Sequence, residues 1–170
     1  MRVVAGLARG RKLQAPEGRH VRPTSDRVRE AVFSSLDSMD AVRGADVLDL
    51  FCGSGALGVE ALSRGAAAAT FVDDDPAAIA AVRANLTSTG LQGGEVVRAD
   101  ALRWLDAGAA VDLALVDPPY AFDDWVAVFS RLRAALVVAE SDRDLVIPSP
   151  WQIVRRKRYG GTVVHLVASE

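Results

Sequence analysis

Asp46-Val47-Leu48-Asp49-Leu50-Phe51-Cys52-Gly53-Ser54-Gly55-Ala56-Leu57-Gly58 runs from an apolar strand through a glycine turn into a helix. Gly53-x-Gly55-x-x-Gly58 directly after a strand is the spacing of a nucleotide-binding corner, where glycines let the backbone turn tightly and come close to a ligand. Asp73 ends the next apolar run, twenty residues after Gly53, where a carboxylate can accept hydrogen bonds from ribose hydroxyls. Asp74 follows it and is a second candidate for that role.

Outward from this corner the chain alternates strands and helices. Thr70-Phe71-Val72, Glu95 to Arg98 and Val111 to Val116 read as strands. Helices are predicted over 56–64, from Pro76 onward, over 101–107 and over 123–133. The strands are solid apolar runs without polar alternation, so they are buried on both faces, in a parallel sheet with helices on each side. The fifth strand lies either in Leu136 to Ser141 or in Leu145-Val146-Ile147. Before the first strand, Pro23-Thr24-Ser25 opens a helix, with Thr24 or Ser25 as its cap, that ends before Gly44. Trp151 to Val167 reads as an antiparallel hairpin turning at Tyr159-Gly160-Gly161 on the sheet edge, with His165 on its polar face. Residues 1–21 suggest a small hairpin carrying arginines. The expected division is a basic arm over 1–23 and one α/β domain over 24–170.

The whole chain, 170 residues with 20 basic and 22 acidic side chains, is one domain's length and carries a net charge of −2. That average hides a division. Residues 1–43 hold nine Arg and Lys against five Asp and Glu, residues 44–150 seven against sixteen, and residues 151–170 four against one. Two basic ends flank an acidic middle, and a local basic patch is what phosphate contact requires. For Arg155-Arg156-Lys157-Arg158, a solvated sheet edge and a phosphate contact are both open readings. No membrane span or secretory signal is readable, so a soluble cytoplasmic protein is expected. A single cysteine, Cys52, with only His20 and His165 beside it, has too few ligands for a structural zinc site, and no metal is expected. Cys52 reads as packing, His20 as solvated, and Trp104 and Trp151 as core; Trp125 is core or a stacking surface near Tyr120.

Two further acids narrow the ligand. Asp49 sits inside a strand, where a carboxylate is costly unless hydrogen-bonded near a charged ligand. It would repel a dinucleotide pyrophosphate and favour the cationic amino group and sulfonium of S-adenosylmethionine. Asp100 ends the third strand, where it can accept from an adenine amine or cap the next helix. The fourth strand runs into Asp117-Pro118-Pro119-Tyr120, the most specific signal in the chain. An exocyclic amine is a weak nucleophile because its lone pair is delocalised into the ring. Asp117 and the carbonyl of Pro118 can accept both amine hydrogens, the prolines hold these acceptors in place, and Tyr120 offers a ring for an extruded base.

On these residues the chain resembles the class I S-adenosylmethionine-dependent methyltransferases, and more narrowly the RsmD family of bacterial 16S ribosomal RNA guanine-N2 methyltransferases. The resemblance covers Gly10-Arg11-Lys12-Leu13, Arg22-Pro23-Thr24-Ser25-Asp26-Arg27-Val28-Arg29-Glu30, Leu48 to Gly58 running into Glu60-Ala61-Leu62-Ser63-Arg64, and Asp117 to Tyr120. It implies a seven-stranded sheet of order 3-2-1-4-5-7-6 and methyl transfer to a guanine of 16S ribosomal RNA in the small subunit or its assembly intermediates. It also implies Asp49, Gly53, Gly55, Asp73 and Asp100 around the cofactor, and Asp117, Pro118, Pro119 and Tyr120 around the guanine amine. The arginines of residues 1–29 would then grip RNA, chiefly Arg9, Arg11, Lys12, Arg22 and Arg27. Thr24 is counted with them at the RNA, and Thr24 and Arg27 either close over the cofactor and target base or simply start the helix. A monomer is expected. The alternatives are a DNA adenine-N6 methyltransferase, a nicotinamide-dependent oxidoreductase, disfavoured by Asp49, and a non-catalytic RNA-binding assembly factor.

Overall fold

A computed structural model of the protein describes residues 1–18 and 24–170. Among these residues the chain forms α1 (Asp26–Ser38), β1 (Asp46–Leu50), α2 (Ala56–Ser63), β2 (Ala68–Asp73), α3 (Pro76–Thr89), β3 (Gly94–Arg98), α4 (Ala101–Ala107), β4 (Val111–Val116), α5 (Trp125–Arg131), β5 (Ala134–Ser141), β6 (Trp151–Tyr159) and β7 (Thr162–Ser169). The sheet has the expected order, β3-β2-β1-β4-β5-β7-β6. Its first five strands are parallel, while β7 runs antiparallel to both β5 and β6.

Successive residues of the central strands feed opposite cores. Val47, Leu113, Leu115, Leu136 and Val138 pack with Phe33 and Leu36 of α1 and with Leu57 and Leu62 of α2. Leu48, Ala114, Val116, Val137 and Ala139 pack on the other side with Leu105 of α4 and Val128 and Phe129 of α5. A strand whose every residue meets a core has no polar alternation to show, which explains the unbroken apolar runs. The fifth strand is the Leu136 to Ser141 alternative, begun two residues earlier at Ala134; Leu145 to Ile147 lies in a loop. Helix α5 is shorter than its predicted span and leaves two residues before β5.

Local signals account for the helix ends. Ser25, not Thr24, caps α1: its hydroxyl accepts the Val28 N–H at 3.2 Å. Asp75 caps α3 ahead of Pro76, and Gly90, at a φ of 70°, ends it in the left-handed conformation.

The N-terminal hairpin is present, with a bridge between Arg2 and Lys12, and it is packed onto α2. Val3, Ala8 and Leu13 are buried in the core of α1 and α2. Glu60, wholly buried in α2, accepts the backbone N–H groups of Val4 at 2.8 Å and Ala5 at 3.0 Å. Gly6 passes so close to α2 that a Cβ there would lie 1.9 Å from the Ser63 carbonyl oxygen. Arg29 departs from the expectation that the arginines of 1–29 face RNA. It is completely buried, bonded to Asp26 and the Arg2 carbonyl, with Nε 3.6 Å from Glu60. A helical face that carries Val32, Phe33 and Leu36 also carries position 29 inward, and the buried acid of α2 receives it there.

His165 also differs from its reading. β7 lies between β5 and β6, so position 165 is not on an edge, and the ring is fully buried. Its Nε2 accepts the Leu145 N–H at 3.2 Å, and burial pulls its pKa below the usual imidazole value. The edge is β6, where Arg155, Arg156, Lys157 and Arg158 are all exposed. No helix among the described residues is long and apolar enough to cross a membrane.

Candidate active site

Strand register and alternation bring three acids to one place. Asp49 on β1 shares the sheet face of Val47; Glu140 on β5 shares that of Leu136 and Val138; Asp117, one residue past β4, continues the face of Leu113 and Leu115. The three strands are neighbours, Leu50 pairing with Val116 and Val116 with Ala139, and neighbouring strands lie about 4.8 Å apart. Asp117 and Glu140 each stand one residue beyond that last paired position. The acids therefore converge at the carboxyl edge of the sheet, the usual ligand side of an open α/β fold.

Two of the three are enclosed and Asp117 is half-buried. Asp49 and Glu140 are 1% and 2% exposed. Asp49 Oδ2 accepts the Gly58 N–H at 2.8 Å, tying the acid to the first turn of α2. Burial raises the pKa of Asp49, helped by the charges of Asp117 and Asp73. Burial likewise pushes Asp117 up to about 6, against a hydrogen bond from Thr24 that lowers it. Glu140 is raised well above the carboxylate range by burial and by the charge of Asp117. Thr24 Oγ1 bridges the last two, 3.2 Å from Asp117 Oδ2 and 3.2 Å from Glu140 Oε2. So Thr24, expected at the RNA, over the site or at the helix start, is held in the site through these two acids.

The glycine turn faces the same edge. Gly53 and Gly55 have φ of 53° and 76°, and a Cβ at Gly53 would meet nothing within 4 Å, so the turn borders open space. A Cβ at Gly58 would stand 2.3 Å from the ring of Phe71, which is why α2 can lie so close to the sheet only with glycine there. Asp73 Oδ2 accepts the Gly53 N–H at 2.9 Å and its Oδ1 the Asp75 N–H at 3.0 Å, so this acid shapes the turn; Asp74 is exposed. Asp100 Oδ1 caps α4 through the Arg103 N–H at 3.0 Å. Phe51, at a positive φ of 59°, sets its ring 5.0 Å from Phe122 and joins the turn to the segment after Asp117-Pro118-Pro119-Tyr120.

Tyr120 is 46% exposed at the mouth. Arg143 braces the segment behind it, donating to the Phe122 carbonyl at 3.1 Å and the Tyr120 carbonyl at 3.4 Å. Trp125 is buried between Phe122 and Phe129, which leaves it the core role of its two readings. Cys52 is buried beside the turn, and its thiol is pushed far up by burial and by Asp49, which suits packing and not nucleophilic attack. Arg9, Arg11, Lys12 and Arg27 are exposed, whereas Arg22 and His20 lie outside the described residues. Among the described residues no group of three or more His, Cys, Asp or Glu side chains is arranged to hold a metal ion. Glu140 and Arg143 are the site residues that sequence reasoning missed. The signal for Glu140 was available: like Asp117, it is an acid ending a solid apolar strand.

Buried carboxyls beside an open glycine turn fit a ligand that brings positive charge, as S-adenosylmethionine does, and oppose a pyrophosphate. The family described as Conserved hypothetical protein 95 matches residues 1–168. The chain belongs to that family. Its relatives include YlbH of Bacillus subtilis, 38% identical over 96% of each chain. Ribosomal RNA small subunit methyltransferase D of Escherichia coli is 34% identical over 100% of this chain and 90% of the relative. Among solved structures, yhhF of Escherichia coli superposes with a TM-score of 0.87 at 34% identity, covering 100% of this chain and 98% of the other. The chain is thus a methyltransferase with the class I fold, as the glycine turn and Asp117 to Tyr120 led one to expect.

Proposed function

We propose that the protein transfers the methyl group of S-adenosylmethionine to the exocyclic N2 amine of a guanine in 16S ribosomal RNA of the small subunit. The observation that carries this reading is the half-buried acceptor Asp117, set beside Pro118 at the carboxyl edge of the sheet with Tyr120 exposed close to it. The name of the Escherichia coli relative supports the class of RNA.

S-adenosylmethionine supplies an electrophilic methyl: the N–C bond forms as the C–S bond breaks, sulfur keeps the electron pair, and the positive charge passes to nitrogen. The chain does the rest. Asp49 and the turn at Gly53 and Gly55 hold the donor, with Asp73 toward the ribose and Asp100 toward the adenine. Asp117 and the Pro118 carbonyl accept the two amine hydrogens, which favours charge build-up on nitrogen, and one of these protons leaves after transfer. Pro118 and Pro119 keep the acceptors aimed, and Tyr120 gives the extruded base a face on which to stack. Holding nitrogen and methyl in line accounts for up to about 7–11 kcal/mol of the barrier.

The basic arm over 1–23, together with Arg27, grips the RNA backbone through Arg9, Arg11, Lys12 and Arg22. The basic end of β6 joins it: Arg158 pairs with Val163, which pairs with Ser141 at the end of β5, so this charge lies two strands from Glu140 on the same sheet edge. An rRNA substrate places the enzyme in the cytoplasm. Unmodified small subunits incubated with methyl-labelled S-adenosylmethionine should yield labelled N2-methylguanosine, and Asp117→Ala should lower the rate roughly 10²–10³-fold. N6-methyladenosine as the product, or full activity in Asp117→Ala, would refute the reading.

A further inference from the structure

Thr24 Oγ1 makes two contacts of 3.2 Å, one to Asp117 and one to Glu140. A hydroxyl has one hydrogen to give and two lone pairs to accept with. It can donate to one carboxylate only. If both acids were ionised, the second contact would set a lone pair against a negative oxygen in a buried site.

One proton removes the conflict, and the surroundings say where it sits. Glu140 is 2% exposed, and its Oε1 is buried with no hydrogen-bond partner among the described residues. A carboxylate with one oxygen bare and dry is far costlier than a neutral carboxyl with an unpaired carbonyl oxygen. The charged groups around it do not reverse this. Asp117 after β4 and Asp49 on β1 repel a charge at Glu140, while Arg29 on α1 attracts one; its Nη2 is bonded to Asp26 and its Nε lies 3.6 Å from Glu60, and although its Nε and Nη1 have no hydrogen-bond partner among the described residues, it makes no ion pair with Glu140. On the β7 side the residue paired with Glu140 is Val164, which brings no charge; His165, the next residue along, has its Nε2 engaged by Leu145.

We propose that Glu140 is a positioning residue that holds a proton at neutral pH and donates it in a hydrogen bond to Thr24, so that the Thr24 hydroxyl hydrogen points at Asp117. The chain then runs one way, from the Glu140 carboxyl O–H to Thr24 Oγ1 and from the Thr24 O–H to Asp117 Oδ2. Asp117 stays ionised, pinned through Oδ2, with Oδ1 left for the substrate amine. No proton is gained or lost by this chain during transfer. A neutral Glu140 also spares the site a further negative charge beside the two acids that face the donor and the amine. The positioning role rests on the methyl-transfer reading; the protonation state does not.

Two measurements separate them. In the infrared spectrum of the free protein at neutral pH, the C=O band of a protonated buried carboxyl should be present and should disappear in Glu140→Gln; any band from Asp49 is common to both proteins and cancels in the difference. An unchanged carboxyl band in Glu140→Gln would overturn the proton assignment. In turnover, Glu140→Gln should keep most of the activity, because the amide N–H replaces the carboxyl O–H as donor to Thr24. The alkaline fall in rate that marks loss of the Glu140 proton in the natural protein should be missing from it. Glu140→Ala and Thr24→Val should fall roughly 10- to 100-fold with little change in KM, and Thr24→Ser should recover. Wild-type rate in Glu140→Ala, or the same alkaline limb in Glu140→Gln, would overturn the positioning role. If the natural protein methylates no rRNA while the band difference is found, the substrate reading fails and the proton assignment stands.

Discussion

Asp117 illustrates how a functional group can be held against the stability of the fold. Its pKa is raised to about 6 by burial, so the folded state resists its ionisation. The sign follows from linkage: a carboxyl raised on folding costs nothing below its unfolded pKa of about 4, and the penalty grows until pH passes the folded value near 6. Asp117→Asn removes that charge while keeping the shape. Its stability should match the natural protein near pH 4 and exceed it by on the order of 2 kcal/mol at pH 7, read by urea unfolding at both pH values, with methyl transfer lost. A smaller gap at pH 7 than at pH 4 would contradict the cause given. At this scale, sequence reading found the acids whose neighbours in sequence announce them, Asp49 before the glycine turn and Asp117 before Pro118-Pro119. It passed over Glu140 because an acid after Val137-Val138-Ala139 carries no motif; its place at the end of a solid apolar strand was legible, but its nearness to Asp117 comes from the pairing of β4 with β5.

Among elements, α2 is the anchor. All eight of its residues are buried, and Glu60 within it receives two backbone amides of the hairpin, the Arg64 side chain at 2.8 Å and the approach of Arg29. Glu60→Ala would leave the buried Arg29 with Asp26 as its counter-charge and take the acceptor from the Val4 and Ala5 amides and from Arg64, and the expected loss is roughly 3–5 kcal/mol in chemical unfolding. The amides of Val4 and Ala5 should lose hydrogen-exchange protection at the same time; their retention in a destabilised variant would show that other contacts hold the arm. The parallel strands were legible because burial on both faces leaves continuous apolar runs, and the glycine turn because its spacing is geometric. His165 was misread because Val164-His165-Leu166 imitates an edge strand's alternation, while the true edge, β6, was placed next to it in sequence and outside it in space. Arg29 was misread because charge was counted along the chain, and a helix returns every third or fourth residue to its inner face.

Across the whole molecule, a net charge of −2 is the sum of regions of opposite sign. The acidic middle supplies the carboxyls of the sheet edge, and the exposed bases of the arm and of β6 flank it. Reversing Lys157 and Arg158 together to Glu should weaken RNA binding and flatten its salt dependence by about one unit of slope for each phosphate no longer neutralised, with donor affinity unchanged. Filter binding at several salt concentrations checks this, and an unaltered slope would assign β6 to edge protection alone. The hairpin's attachment to α2 uses the backbone amides of Val4 and Ala5, not the side chains of Arg2, Arg9, Arg11 or Lys12, which point to solvent. Any residue but proline can offer an amide. The exposed positions can therefore change their charge without loosening the arm, so the charge the hairpin displays is set independently of the scaffold that holds it.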